Sequence, residues 1–129
     1  MELQHKTKTD PNGLIPPYGG ELKNLIIKDY SLKNDLISKA TYKFECSERN
    51  ACDVELLMVG AFSPLEGFMD ENNYNSVIKN NRDTNGLLFG LPIVFDSNNE
   101  KVKAGETILL TYKNQKICNF RSKFYLGTW

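Results

Sequence analysis

The sequence predicts an α+β domain built around a small mixed barrel, and three observations predict it. Stretches with helical spacing of apolar residues, each behind a capping residue, recur at 31–40, 47–59 and 70–80. Residues 41–46 alternate with a period of two, and residues 108–120 read as a pair of strands around a polar turn. The chain has 129 residues, 40% of them hydrophobic and seven of them Phe, which suffices for one domain closing one core.

Residues 1–13 are polar and end in Asp10-Pro11-Asn12-Gly13, a turn signal, so they read as a loose lead-in. Leu14-Ile15-Pro16-Pro17 is expected to be extended, because proline pushes the preceding residue out of the helical region. Gly19 and Gly20 follow Tyr18 and suggest a backbone position that side chains would obstruct. Two glycines without the remainder of a P-loop do not make a phosphate cradle. Leu22, Leu25, Ile26 and Ile27 form a short apolar segment. Ser31 is the expected N-cap of a first helix with Leu32, Leu36, Ile37 and Ala40 on its half-buried face. Tyr42, Phe44 and Cys46 then alternate with Lys43 and Glu45, as in a strand with one face in the core.

The central stretch, residues 47–69, is expected to be a capped helix running into a tight turn. Ser47 can accept a hydrogen bond from a free backbone N–H of the first turn, where Glu48 also suits the helix dipole. Cys52, Leu56 and Val59 fall at spacings of four and three, with Val54, Leu57 and Met58 widening that apolar face. Gly60 is the expected residue just past the C-cap. Phe62-Ser63-Pro64-Leu65-Glu66-Gly67-Phe68 reads as a turn whose terminal aromatics clamp the helix exit onto the core.

Asp70 should cap a third helix reaching about Asn80, with Tyr74, Val77 and Ile78 on one face. Residues 82–86 signal a turn, and 87–95 form a hydrophobic run in which Pro92 marks the start or edge of a strand. After a polar loop at 97–100, Asn114-Gln115 is expected to separate the two strands of a hairpin, 108–112 and 116–120.

Composition excludes several classes. Sixteen basic and sixteen acidic residues cancel, so the cationic surplus that phosphate neutralisation requires is missing, which argues against a nucleic-acid partner. Apolar runs such as 56–62 fall far short of the roughly 20 residues that span a bilayer. The polar start has no signal-peptide core, so the expected location is the cytoplasm. Cys46, Cys52 and Cys118 are an odd set at irregular spacing and read as reduced thiols, mostly buried.

Three blocks carry a resemblance. Ser-x-Arg-x-x-Cys-Asp-x-Glu-Leu from Ser47, followed by Gly-x-Phe-Ser-Pro-Leu-x-Gly-Phe from Gly60, resembles the N-terminal, PUA-like domain of the ATP sulfurylase (sulfate adenylyltransferase) family. Tyr18-Gly19-Gly20-x-Leu22 upstream, and Asn85-Gly86-Leu87-Leu88 with Leu91-Pro92-Ile93 downstream, stand in the same order as in that family. The first site is usually His-Gly-Gly there, so Tyr18 is a departure. The resemblance covers residues 16–120 and implies a PUA-like pseudobarrel. It divides the chain into a lead-in (1–13), the PUA-like domain (14–120) and an atypical tail (121–129), with the catalytic domain absent. The matched residues Gly19, Gly20, Arg49, Cys52, Asp53, Phe62, Ser63, Pro64, Gly67 and Phe68 are expected to be structural.

The family joins sulfate to the α-phosphate of ATP, giving adenosine 5′-phosphosulfate and pyrophosphate. That reaction needs cations and donors for the phosphate charge, with in-line positioning. The resemblance implies that these come from a second domain carrying Gln-x-Arg-Asn-Pro, His-x-x-His and Gly-Arg-Asp motifs. This sequence contains none of them, and His5 is its single histidine. Arg49-Asn50 copies part of the first motif, but Ser47 replaces its Gln and Ala51 its Pro, so Arg49 reads as a helix-end or salt-bridge residue before an anion contact. Asp53 and Glu55 lie about 200° apart on a helix and cannot converge on one metal ion. Cys52 has no histidine to activate it and reads as a core cysteine. Phe62, Phe68 and Tyr74 lack a basic stripe and read as core aromatics, not a base-stacking platform.

No catalytic residue, substrate-binding residue, metal site or cofactor is therefore expected in this chain. The leading reading is an isolated sulfurylase N-terminal domain, inactive alone, its end at residue 129 pointing to truncation, a frameshift or deliberate excision. The alternatives are an RNA-binding PUA-like module and a partner that docks on a separate catalytic chain or domain.

Overall fold

The computed structural model describes residues 12–95, 103 and 105–121, with side chains described through 116. The lead-in with His5, the 97–100 loop, the Cys118 thiol and the residues beyond 121 lie outside that description. Six elements follow in order: α1 (Tyr30–Ser38), β1 (Tyr42–Glu45), α2 (Glu48–Met58), α3 (Glu71–Asn80), β2 (Thr107–Tyr112) and β3 (Gln115–Arg121). The strands form one mixed sheet in the order β1-β2-β3. β1 pairs with β2 in parallel, Phe44 opposite Leu110, and β2 pairs with β3 antiparallel. The predicted α+β class, with three helices and a mixed sheet, is the one observed.

β2 is the central strand, and Ile108, Leu109, Leu110 and Thr111 are all buried, as expected where both sheet faces are covered. One core cluster gathers Cys46 after β1, Ala51 and Val54 of α2, Phe95, Ile108 and Leu110. Phe95 meets Phe44 edge-on at 5.1 Å between centroids and Phe68 at 5.4 Å. Phe68 therefore holds the chain leaving α2 against the core, as the aromatic clamp requires.

The caps follow the chemistry of the sequence, with one shift. Ser47 accepts the Asn50 N–H and Asp70 the Asn73 N–H. At α1 the cap is Asp29, not Ser31: the Asp29 carboxylate accepts the Ser31 and Leu32 N–H groups, so Ser31 falls inside the helix. A carboxylate reaches two N–H groups at once, which favours the earlier start. Leu36, Ile37 and Ala40 are half-buried as expected, but Leu32 is exposed.

The expected buried face of α2 is corrected. Ala51, Val54 and Leu57 are buried, whereas Cys52 is exposed, Leu56 is 40% exposed and Val59 52% exposed. At 100° per residue the two stripes lie on roughly opposite sides. Both carry apolar residues, and the stripe of Ala51 and Val54 is the one that joins Ile108 and Leu110 in the core cluster. On α3, Val77 is buried and Tyr74 half-buried, but Ile78 faces outward.

Residues 87–95 do not form the expected strand. They make an isolated bridge from Leu88 to Arg82, and Ile93 accepts the Met69 N–H at 2.7 Å. Pro92 contributes no N–H and Gly90 no side chain to pack, so Ile93 and Phe95 are buried without a ladder around them. The hairpin turn sits one residue earlier than predicted, at Lys113-Asn114, both with positive φ (48° and 63°), as a two-residue type I′ turn needs. A register shift between Leu110 and Thr111 accommodates the extra residue on β3.

Candidate functional site

The residues of the central stretch fall into two groups that the fold separates. The first is a junction between residues 18–25 and the end of α2. Gly60, at φ 82°, ends the helix: Gly60 N–H donates to Leu57 and Ala61 N–H to Leu56, the paired bonds of a Schellman motif. Buried Ser63 donates its hydroxyl to the Gly60 carbonyl at 2.6 Å and accepts the Lys23 N–H at 2.9 Å. Leu25 N–H donates to the Met58 carbonyl. Pro64, after a cis peptide bond, lies against Gly19, where an added Cβ would come within 2.8 Å of the proline ring. That contact is the obstruction expected at the paired glycines. Gly20 differs: its φ is 94° but the space around it is open.

Lys23 pairs with Glu21 and Glu66 at 3.0 Å each, and those hydrogen bonds raise its pKa above the usual lysine value. Tyr18 donates its hydroxyl to the Leu88 carbonyl at 2.8 Å and meets Phe89 edge-on. The Tyr18-Gly19-Gly20 block, the Ser63-Pro64 turn and the Leu88 loop thus meet in space although they are far apart in sequence. What they build is a joint between three segments.

The second group lines a cleft of ≈ 290 Å³ between the first turns of α2 and the extended segment behind it: Arg49, Asn50 and Asp53 face Leu91, Pro92, Ile93 and Val94. Arg49 is exposed, Asp53 is half-buried and both stand one turn apart on the helix. One cation and one carboxylate of this kind offset each other's charge in the same cleft. Group transfer to phosphate calls for more cations and hydrogen-bond donors than this cleft brings together. Cys52 and Glu55 are exposed and do not line the cleft. No group of three or more His, Cys, Asp or Glu side chains able to hold a metal ion occurs among the described residues.

Of the matched residues, Gly19, Ser63 and Pro64 come together in the junction, with Phe62 and Gly67 half-buried in the same turn. Phe68 joins the core, Arg49 and Asp53 reach the cleft, and Cys52 lies outside both. Sequence reasoning missed Lys23 with Glu66, whose partners lie on different segments and leave no local signal. It also missed buried Asp83, which accepts the Asn85 and Leu87 N–H groups. The Asp-x-Asn-Gly spelling of that turn was the available sign.

A family model described as a PUA-like domain matches residues 15–123. The sulfate adenylyltransferase of Neurospora crassa is 45% identical over 102 residues, 74% of this chain and 18% of its own length. That of Yarrowia lipolytica is 43% identical over 96 residues, 69% of this chain and 17% of its own. That of Debaryomyces hansenii is 41% identical over 109 residues, 73% of this chain and 21% of its own. Among solved structures, a hexameric APS kinase from Thiobacillus denitrificans superposes with a TM-score of 0.73 at 30% identity, over 84% of this chain and 23% of that one. The chain therefore spans between 17% and 21% of the length of these curated relatives. On these matches and on its fold, the chain belongs to the PUA-like domain family, in the form that sulfate adenylyltransferases carry.

Proposed function

We propose that this chain serves as the N-terminal PUA-like domain of a sulfate adenylyltransferase acting in sulfate assimilation in the cytoplasm, and that these residues alone do not transfer adenylyl groups. The observation that carries the reading is the content of the cleft. Beside Arg49 it holds Asn50 and the carboxylate of Asp53, which does not provide the concentrated positive charge that sulfate and triphosphate together demand. The Gln-x-Arg-Asn-Pro and His-x-x-His motifs of the resemblance do not occur in the sequence. No helix of the described residues is long and apolar enough to cross a membrane. With MgATP and sulfate, the purified chain should release no pyrophosphate above a no-enzyme control. Sulfate-dependent release would overturn the proposal.

The exposed stripe of α2 favours a second reading, in which the chain docks on a catalytic domain or chain. Leu56 and Val59 lie uncovered on α2, and Leu22, Ile26 and Ile27 are exposed on the segment joined to its end. Sedimentation velocity should show concentration-dependent self-association through this surface, weakened by Leu56→Asp. A chain that stays monomeric at high concentration would sink the docking reading.

A further inference from the structure

The hairpin turn places two non-glycine residues, Lys113 and Asn114, in the left-handed region. Asparagine tolerates that conformation, but lysine gains nothing from it. In a two-residue turn the ladder ends at the flanking pair, here Tyr112 and Gln115, so the N–H groups of the turn residues have no cross-strand partner. Successive N–H groups in such a turn form a small concavity that suits an anion. In this chain a carboxylate fills it from another strand. Glu45, the last residue of β1, accepts the Lys113 N–H on Oε1 at 2.7 Å, and the Asn114 N–H also favours its ionised form. Its Oε2 accepts a short hydrogen bond from the Thr111 hydroxyl, Thr111 being its register partner on β2.

We propose that Glu45 is an ionisation-controlled latch: as a carboxylate it fixes the β2–β3 turn to β1, and on protonation it releases the turn while the core stays folded. One side chain thus ties the end of the parallel pair to the tip of the antiparallel one. Other charged and titratable groups near it are Lys43 on its own strand and Cys46 just after it, Tyr112 and Lys113 at the turn, and Lys116, the partner of Thr111 on β3. Lys43 favours the ionised form, and Lys113 lies over the Tyr112 ring, its ammonium 5.1 Å from the centroid.

The direction of the pH effect follows from these bonds. The Thr111 hydrogen bond first, then the turn N–H groups, hold the Glu45 carboxyl below the ordinary glutamate range. A lowered folded-state pKa contributes stability above the unfolded value, and that contribution is lost as pH falls through the folded one. The latch should therefore be closed at neutral pH and open only in acid, below the ordinary glutamate range.

Amide hydrogen exchange across the full chain, read residue by residue by NMR between neutral and acid pH, tests this directly. Corrected for intrinsic rates, the Lys113 and Asn114 amides should lose protection on acidification before those of Leu110 and Val77. In Glu45→Gln the same two amides should exchange about tenfold faster at neutral pH and show no acid step, as expected on losing a charge-assisted acceptor. Unchanged protection in that variant, or loss of the turn amides only together with the core amides, would overturn the proposal. If Glu45→Gln does not fold, the pair Lys113→Asn with Asn114→Gly decides. Asn-Gly suits the type I′ turn without an anchor, so the turn should keep its geometry in acid, read from its cross-strand backbone contacts. Opening of that variant turn at the same pH as the native one would refute the latch.

Discussion

Leu110→Ala is expected to be the most costly single truncation in the chain, removing about 3–5 kcal/mol of unfolding free energy. Leu110 is 0% exposed at the middle of the central strand, between Phe44 on one side and Cys118 on the other. Its side chain belongs to the cluster of Cys46, Ala51, Val54, Phe95 and Ile108, to which both α2 and the sheet contribute. β2 itself is hydrogen-bonded along both edges, to β1 and to β3, which holds its backbone from collapsing into the space, so the cavity cost adds to the lost transfer energy. Against a typical total of about 5–15 kcal/mol, this is a large share. Urea denaturation should show the midpoint falling with the slope unchanged. Leu56→Ala is the matched control: 40% exposed on the far side of α2, it should cost less than about 1 kcal/mol. Equal losses for the two leucines would mean that the outer stripe of α2 is the buried one.

That comparison also marks where the sequence could be read and where it could not. Cap chemistry acts within three residues, so Ser47 and Asp70 are legible from spelling alone, and β1 shows its period of two. The face of α2 is a tertiary decision. Cys52, Leu56 and Val59 are as apolar as Val54, Leu57 and Met58, and only the sheet beneath decides between them. Residues 87–95 look like a strand by composition, yet with Pro92 in the run and no ladder partner among the described residues, Ile93 and Phe95 are buried singly. For the junction, paired glycines announce a tight approach, but nothing local names Pro64 as the neighbour of Gly19. Glu45 is the extreme case: in sequence it is one polar residue of an alternating strand, and its partners Thr111 and Lys113 are 66 and 68 residues away.

Gly60→Ala should be strongly damaging, costing about 2–4 kcal/mol from two separable sources. The first is conformational. Gly60 sits at φ 82°, where an L-residue pays about 1–2 kcal/mol, and it cannot leave that region without breaking the Schellman bonds that end α2. The second is steric. An added Cβ would stand 2.9 Å from the Lys23 carbonyl oxygen and 2.9 Å from Leu22 Cδ1. The leucine methyl can turn aside, but the carbonyl belongs to a backbone held by the Lys23 N–H bond to Ser63 and the Leu25 N–H bond to Met58. Gly20→Ala isolates the first source, because Gly20 has φ 94° and open space where its Cβ would go. It should cost about 1–2 kcal/mol. The excess of Gly60→Ala over Gly20→Ala in urea denaturation then measures how rigidly residues 22–25 are fastened to the end of α2. A clear excess identifies the junction as a fixed joint, and equal losses would show that the segment yields and that its hydrogen bonds to Ser63 and Met58 do not hold it.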